Sequence, residues 1–364
     1  MRSAFLRAFF IIFAIVVLAG AKEYDFQRHF AKKWHVNRGE VIILDNPVGE
    51  IQLSNTDPKL GSFVMVKQRV YAAFDELVKS RQMVMMVRLD ATRRPDSLKL
   101  FVQFPMHMFE RYKYPDMGGF FTSEVDGIWQ GKKITVSPKK GVKLWSDIYI
   151  QIPAGQKIVI NSIAATFVIE DFVGDIDFTT DHASAMTAGD IRGNLFLTAC
   201  HGALSVSKFS GDLFYDGEDS DISFCDVIRG TVRAKSTSGD ILWNAKCDST
   251  EKVELESLSG KVMYNGELAK CTCLINDEGK IEITPTSFVQ DSLIATTSGG
   301  DIVLEMPENY AHDISASSKE GRVKHKFDNI DSDNNVSVIL KGKSGSVVLR
   351  SERGTIKLNI RSSR

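Results

Sequence analysis

Apolar and polar residues alternate along this chain in short runs, and the same phrase returns about every twenty residues. Two apolar positions alternate with polar ones, a small polar turn ends in glycine, a charged residue follows, and two more apolar positions alternate after it. One copy reads Val232, Ala234, Ser236, Ser238-Gly239-Asp240, Ile241, Trp243. Others are Val253, Leu255, Ser259-Gly260-Lys261, Val262, Tyr264, then Leu293, Ala295, Gly299-Gly300-Asp301, Ile302, Leu304, and then Ile314, Ala316, Gly321-Arg322, Val323. The glycines at 239, 260, 279, 300 and 321 lie 21, 19, 21 and 21 residues apart. A fixed period of this length marks a repeat architecture in which each unit buries its apolar face against its neighbours. Alternation puts the apolar positions of each copy on one face of two successive strands.

The near-constant period and the scarcity of Asn-Gly or Asp-Gly pairs favour parallel rungs over a meander of hairpins. The predicted fold is therefore all-β, a single-chain parallel β-solenoid or β-helix with rungs of about 20 residues and a short helical insert near the N-terminus. Gly49, Gly174, Gly189, Gly211, Gly239, Gly260, Gly279, Gly300, Gly321 and Gly345 are the predicted corners, where glycine suits a left-handed backbone. Ser238, Ser259 and Ser298 are placed to bond local backbone there, and Asp175, Asp190, Asp212, Asp240 and Asp301 to point outward.

Before residue 153 the pattern is less regular. A first copy of the phrase stands at Ile42, Leu44, Gly49-Glu50, Ile51, Leu53, and Asp57-Pro58 interrupts it. Phe63–Tyr71 reads as a strand and Ala72–Ser80 as a short helix burying Phe74 and Leu77/Val78, with further strands at Val84–Leu89 and Leu98–Phe104. Residues 105–141 mix turn residues with Phe109, Tyr112, Tyr114, Phe120, Phe121 and Trp129, which predicts an ordered segment leaving the main stack. Ile148, Ile150 and Ile152 alternate ahead of Pro153, and the repeats then run to Ile360. The expected organisation is a signal peptide over 1–21, an N-terminal β-rich region over 22–152 containing the aromatic insert 105–141, and a solenoid over 153–364.

The signal-peptide reading rests on Arg2 and Arg7, the apolar run Ala8–Leu18 and the small-residue exit Ala19-Gly20-Ala21. The run is shorter than the roughly 18 apolar residues of a membrane span, and no later stretch could span a bilayer as a helix. The expected location is outside the cytoplasm: periplasmic, cell-surface or secreted. With 45 basic and 46 acidic side chains the chain carries no electrostatic footprint for nucleic acid. Its last strand, with Arg350, Arg353, Lys357, Arg361 and Arg364, reads as a charged cap, which favours a monomer over a scaffold that associates end to end.

Candidate chemistry is sparse. Cys200, Cys225, Cys247 and Cys271 are spaced near the repeat period, which could stack them on neighbouring rungs, yet with Cys273 the count is odd and buried free thiols are the expected state. Cys271-Thr272-Cys273 lacks the loop spacing of a zinc site. The acidic corner Asp216, Glu218, Asp219, Asp221 reads as solvated, and the loop 328–335 fails the EF-hand pattern at Val336 and Gly342. His29, His35, His107, His182, His201, His312 and His325 show no metalloprotease spacing, and His325 falls where other repeats are apolar. No nucleophile elbow or phosphate loop occurs. No catalytic residue, metal or cofactor is predicted.

The signal peptide, the early Gly49-Glu50-Ile51-Gln52-Leu53 phrase, the helical insert, the strand ending Ile150-Gln151-Ile152-Pro153 and the ladder of Ser-Gly-Asp-Ile-like turns together resemble the bacterial "putative adhesin" family of exported β-solenoid proteins. The resemblance implies an adhesin-like role and brings no catalytic residues. The reading is a non-catalytic, envelope-associated structural or adhesin-like binding protein whose partner the sequence leaves open, with envelope polysaccharide or protein as the candidates. Its alternatives are a carbohydrate-active β-helix lyase or hydrolase and a self-associating scaffold. Tyr112, Tyr114, Phe120, Phe121 and Trp129 are the candidate contact residues, because rigid aromatic faces outside a regular core favour binding. Folding back over an end of the solenoid is the competing role for the same rings.

Overall fold

The computed structural model describes residues 23–114, 124–307, 313–325, 337–340 and 345–361. The repeated phrase becomes pairs of short strands: β14 (Val227–Ser236) with β15 (Ile241–Trp243), β16 (Lys246–Ser257) with β17 (Val262–Tyr264), β18 (Cys271–Asn276) with β19 (Ile281–Ile283), and β20 (Ser292–Thr297) with β21 (Ile302–Pro307). First members pair in parallel with first members, and second with second. That register stacks Val232, Val253, Thr272 and Leu293 in one file and Ile241, Val262, Ile281 and Ile302 in another, all buried. Phe224, Trp243 and Tyr264 form a third file, with ring centroids 5.0 and 5.5 Å apart. The fold is an open β-solenoid of mostly parallel strands.

The corners work differently from the left-handed turn expected at Gly239, Gly260, Gly279, Gly300 and Gly321, none of which has a left-handed φ. Glycine is required there because the rungs nearly touch. A Cβ on Gly239 would lie 1.9 Å from the Ser220 carbonyl oxygen, one on Gly260 2.1 Å from that of Gly239, and one on Gly300 1.6 Å from that of Gly279. The residue three places earlier completes each corner: Ser236 Oγ donates to Ser220 O (2.8 Å) and accepts from Gly239 N (3.0 Å), while Ser257 Oγ donates to Gly239 O (2.9 Å). Ser238 and Ser259 lie outside this buried file and bond the rung below. The aspartates after the glycines also tie rungs together: Asp240 Oδ1 accepts from Lys261 N at 2.7 Å, and Asp175 Oδ1 from Asn194 N at 2.9 Å.

Glycines 174 and 211 do have positive φ, and Gly49 does too, each with the same close approach to a neighbouring carbonyl. Gly189 is looser, with its nearest approach at 3.2 Å. Gly345, just ahead of β25 (Ser346–Ser351), also has a left-handed φ, and a Cβ there would lie 2.6 Å from Val289 O; the glycine between β25 and β26 (Ile356–Arg361) is Gly354.

Spatial order departs from chain order at the C-terminal end. β25 and β26 insert between the β20/β21 rung and the rung formed by β22 (Asp313–Ser318) and β23 (Val323–His325). β24 (Ser337–Leu340) then closes the outer edge of β22 as an antiparallel strand. The basic final rung is thus interior to the stack and is not its cap.

The other end is also closed by antiparallel strands. β2 (Val41–Asp45) and β3 (Val48–Asn55) form the first complete rung, under β11 (Gln156–Ile169). β6 (Ser97–Gln103) extends the β2 side and is edged by antiparallel β5 (Arg88–Arg93). On the β3 side β10 (Val142–Ile152) pairs in parallel, followed by antiparallel β4 (Phe63–Phe74) and β1 (Tyr24–His35). The predicted helix over 72–80 is shifted: β4 runs through Ala72, Ala73 and Phe74, which are buried, and α1 spans Leu77–Met86. It buries Ser80, Met83 and Val84, leaving Leu77 and Val78 exposed, and Ser80 Oγ anchors it by donating to Tyr24 O at 2.6 Å. Among the described residues no helix is long and apolar enough to cross a membrane.

Candidate binding groove

The aromatic insert turns its rings inward. β7 (Arg111–Lys113), β8 (Val125–Trp129) and β9 (Lys132–Ser137) form a small sheet joined to β10. Tyr112 is fully buried against the edge of Phe104, with centroids 5.5 Å apart. Tyr114 packs on Trp145 at 6.0 Å and shares a 3.3 Å hydrogen bond with Thr166 Oγ1, and Trp129 is buried as well. Burial pushes the Tyr112 and Tyr114 hydroxyls well above the usual phenol range. These three rings cover the start of the solenoid and are not surface contacts. Phe120 and Phe121 lie outside the described residues, as do the signal segment 1–21 and the loop 328–335.

A second set of aromatic residues lies on the outward face of β10, where Trp145 is partly buried beside Tyr114. Inward positions of β10 are Leu144, Ser146, Ile148, Ile150 and Ile152, so Trp145, Asp147, Tyr149 and Gln151 face out. Register aligns them in rows across four strands. Gln27, Tyr71 and Trp145 form one row, His29, Arg69, Asp147 and Glu50 the next, and Ala31, Lys67, Tyr149 and Gln52 a third. The last two rows line a groove of about 520 Å³.

Asp147 is the fixed point of this groove. Its Oδ2 accepts from Arg69 Nε at 3.0 Å and Nη2 at 2.8 Å, while Oδ1 accepts from Glu50 N at 2.9 Å. Its side chain is 13% exposed against 50% for Arg69, so the carboxylate is held below a solvated guanidinium. Hydrogen bonding to Asp147 raises the already high pKa of Arg69. Gln52 donates to Glu50 Oε1, and Tyr149 Oη shares 3.3 Å hydrogen bonds with Ser54 Oγ and Gln151 Nε2. Lys67 Nζ stands 5.6 Å from the Tyr149 ring centroid and has no carboxylate partner among the described residues. Tyr71 stacks on Trp145 with centroids 4.1 Å apart and planes 23° apart, extending the aromatic surface along the strands. The signal for this face was the outward parity of Trp145, Asp147 and Tyr149, which Ile148, Ile150 and Ile152 define by facing in.

Other clusters are occupied by the architecture. A shallow channel of about 600 Å³ beside the corners is lined by Ser257, Asn276, Thr297, Ser318 and Ser351, whose polar atoms already bond the corner backbone. In the acidic corner Asp221 Oδ1 accepts from Asp240 N at 2.9 Å, and Asp219 lies 3.7 Å from His201 and accepts from Ser238 Oγ. The cysteines are free, as expected, and the stacking their spacing allowed is not seen at Cys247, which lies opposite Ile228, or at Cys271, which lies between Lys252 and Ser292. Nor are the thiols fully buried, for Cys225 is exposed and the others are half-buried. Burial pushes the Cys247 thiol up to about 11, and its Sγ contacts Glu267 O at 3.0 Å. His325 is buried in the file that holds Leu304 and Leu358. No group of three or more His, Cys, Asp or Glu among the described residues is arranged to hold a metal ion.

Fold and surface define an open, mostly parallel β-solenoid with a groove whose lining is both aromatic and charged. The chain belongs to the Toastrack DUF4097 family, which residues 146–359 match. Solved structures similar to it include a "putative adhesin" from Parabacteroides merdae (13% identity, 91% of this chain and 96% of that one, TM-score 0.37). A "putative adhesin" from Bacteroides fragilis is similar at 13% identity over 91% and 97% of the two chains, with a TM-score of 0.32. A "putative cell adhesion protein" from Clostridium sporogenes is similar at 11% identity over 92% and 100%, with a TM-score of 0.24. No curated protein matches the chain.

Proposed function

We propose that this protein is an exported, non-catalytic, adhesin-like β-solenoid of the cell envelope that binds its partner through the groove over β1, β4, β10 and β3. In this reading residues 1–21 direct export, 22–152 carry the binding face and 153–364 form a rigid stack that presents it. The observation that carries the reading is the contrast between the two parts. Polar groups at the regular corners bond one another from rung to rung, whereas His29, Lys67, Arg69 and Tyr149 line a concave groove. Concave sites with a few convergent polar groups are where binding concentrates. Asp147 is committed to Arg69 and Glu50 N, an arrangement suited to holding shape and unsuited to a free acid or base. The antiparallel strand β24 on the edge of β22 supports a monomer.

Co-sedimentation of the purified chain with envelope material from its own organism tests the reading. Full-length protein is expected to pellet with the envelopes, and the double substitution Lys67→Gln/Tyr149→Ala to weaken retention about tenfold, the effect of losing one hot-spot contact. Phe196→Ser, on the exposed outer face of a rung away from the groove, should leave retention unchanged. Equal retention of the groove variant and the parent contradicts the assignment of the groove.

A further inference from the structure

We infer that the groove binds a saccharide chain bearing an acidic sugar, with a pyranose face laid on Tyr149 and the sugar carboxylate at Lys67. The inference rests on the groove being the binding surface and adds the chemistry of what fills it.

Three features of the outward face select this ligand. First, the groove carries an outward aromatic ring: Tyr149 lines it, while Trp145, four residues earlier on the same strand and about 13 Å away, is partly buried between Tyr71 and Tyr114. Such a ring offers a large rigid face to the C–H side of a sugar at small entropic cost. Second, the groups around Tyr149 are planar hydrogen-bonding ones, Arg69, Asp147, Glu50, Gln52 and Gln151, already oriented by their hydrogen bonds. Preorganised donors and acceptors in adjacent rows match a ligand that carries a hydroxyl on nearly every carbon, and they lose little freedom on binding it. Ala31 is the aliphatic member of these outward rows and Phe30 and Ile148 complete the apolar part of the lining, so the polar rows are what favour a saccharide over an apolar peptide or lipid tail.

Third, the cations are not equivalent. Arg69 is neutralised by Asp147, whereas Lys67, 5.6 Å from the Tyr149 ring centroid, has no carboxylate partner among the described residues. An uncompensated lysine beside an aromatic ring suits a sugar that lies on the ring with its carboxylate at the ring's rim, within reach of the ammonium.

Calorimetric titration of the full chain with a uronic-acid oligosaccharide and with a neutral glucan oligosaccharide of equal length tests the inference. The uronic-acid chain is expected to bind more tightly, and more weakly as salt is raised. Lys67→Gln should reduce uronate affinity about tenfold and neutral-glucan affinity by less than about twofold, since it removes one charge-assisted contact. Tyr149→Ala should weaken both. Lys67 is exposed, so its substitution leaves the thermal midpoint in place and the affinity change is read on folded protein. Absence of binding to either oligosaccharide, or binding that both substitutions leave unchanged, overturns the inference. If neither oligosaccharide binds while the double variant still loses envelope retention, the groove is the binding surface and its ligand is not a saccharide. If retention is also unaffected, the groove itself is wrong.

Discussion

Replacing Gly239 or Gly260 with alanine is expected to destabilise the protein by about 3 kcal/mol, at the upper end of overpacking costs. The sign is the informative part. Neither glycine has a left-handed φ, and at a backbone geometry open to any residue glycine to alanine normally stabilises by about 0.4–1 kcal/mol through the unfolded chain. Here the added methyl would stand 1.9 Å from Ser220 O or 2.1 Å from Gly239 O, and the obstacle is backbone on both sides, because each corner rests on the one below. Relief therefore requires prising rungs apart, which strains Ser236 and Ser257, whose hydroxyls bridge the same corners. Urea unfolding of the two variants reads the effect as a lower midpoint. An unchanged or higher midpoint means the rungs are not in contact at these corners.

Ending the chain after residue 345 is expected to release more than the rung it deletes. β25 and β26 bury Val347, Leu349, Ile356 and Leu358, about 6–12 kcal/mol of apolar burial from those four side chains alone. They also stand between two earlier rungs, so their removal leaves Ile314, Ala316 and Val323 without a partner surface and exposes Leu293, Ala295, Ile302 and Leu304 at a raw end. The truncated protein should lose amide protection across 313–325 while keeping it through the rungs before 285. A stack built in chain order would respond differently, losing its last rung and keeping 313–325 protected. The same arrangement means that the rung of 313–325 cannot dock in its final place until the end of the chain has been made.

Much of this architecture was legible because it depends on alternation, and alternation is written residue by residue. Val232, Ala234, Ile241 and Trp243 face inward as their parity requires, and each stacks on the equivalent residue of its neighbour. The exchanged order of the last rungs was not legible. Val347, Leu349, Ser351, Gly354, Ile356 and Leu358 repeat the spacing of Leu293, Ala295, Thr297, Gly300, Ile302 and Leu304, so the local pattern fits either neighbour. Corner glycines were legible as positions and not as mechanism, since a chain crossing close to another chain and a chain turning left-handed both exclude a side chain. The face proposed to bind was not legible for a related reason. Concentrated aromatics drew attention to Tyr112, Tyr114 and Trp129, yet in a segment without regular alternation nothing assigns a ring to one side, and all three went into the core. Trp145 and Tyr149 sit among regularly alternating isoleucines and had a determinable side, outward. The helix over 77–86 lay beyond its expected span because Ala72 and Ala73 are helix formers by propensity, while pairing of β4 with Asp25 and Tyr24 kept that stretch extended.

The central claim, that this solenoid binds through the outer face of its first sheet, is tested most directly by an amide-exchange footprint of the full chain with and without saturating envelope material. Protection is expected in peptides covering 27–31, 65–71, 145–151 and 50–54, the four strands whose outward residues line the groove, with the rungs from 211 to 306 unchanged. Protection centred on those rungs, with the four groove strands unaffected, would contradict it.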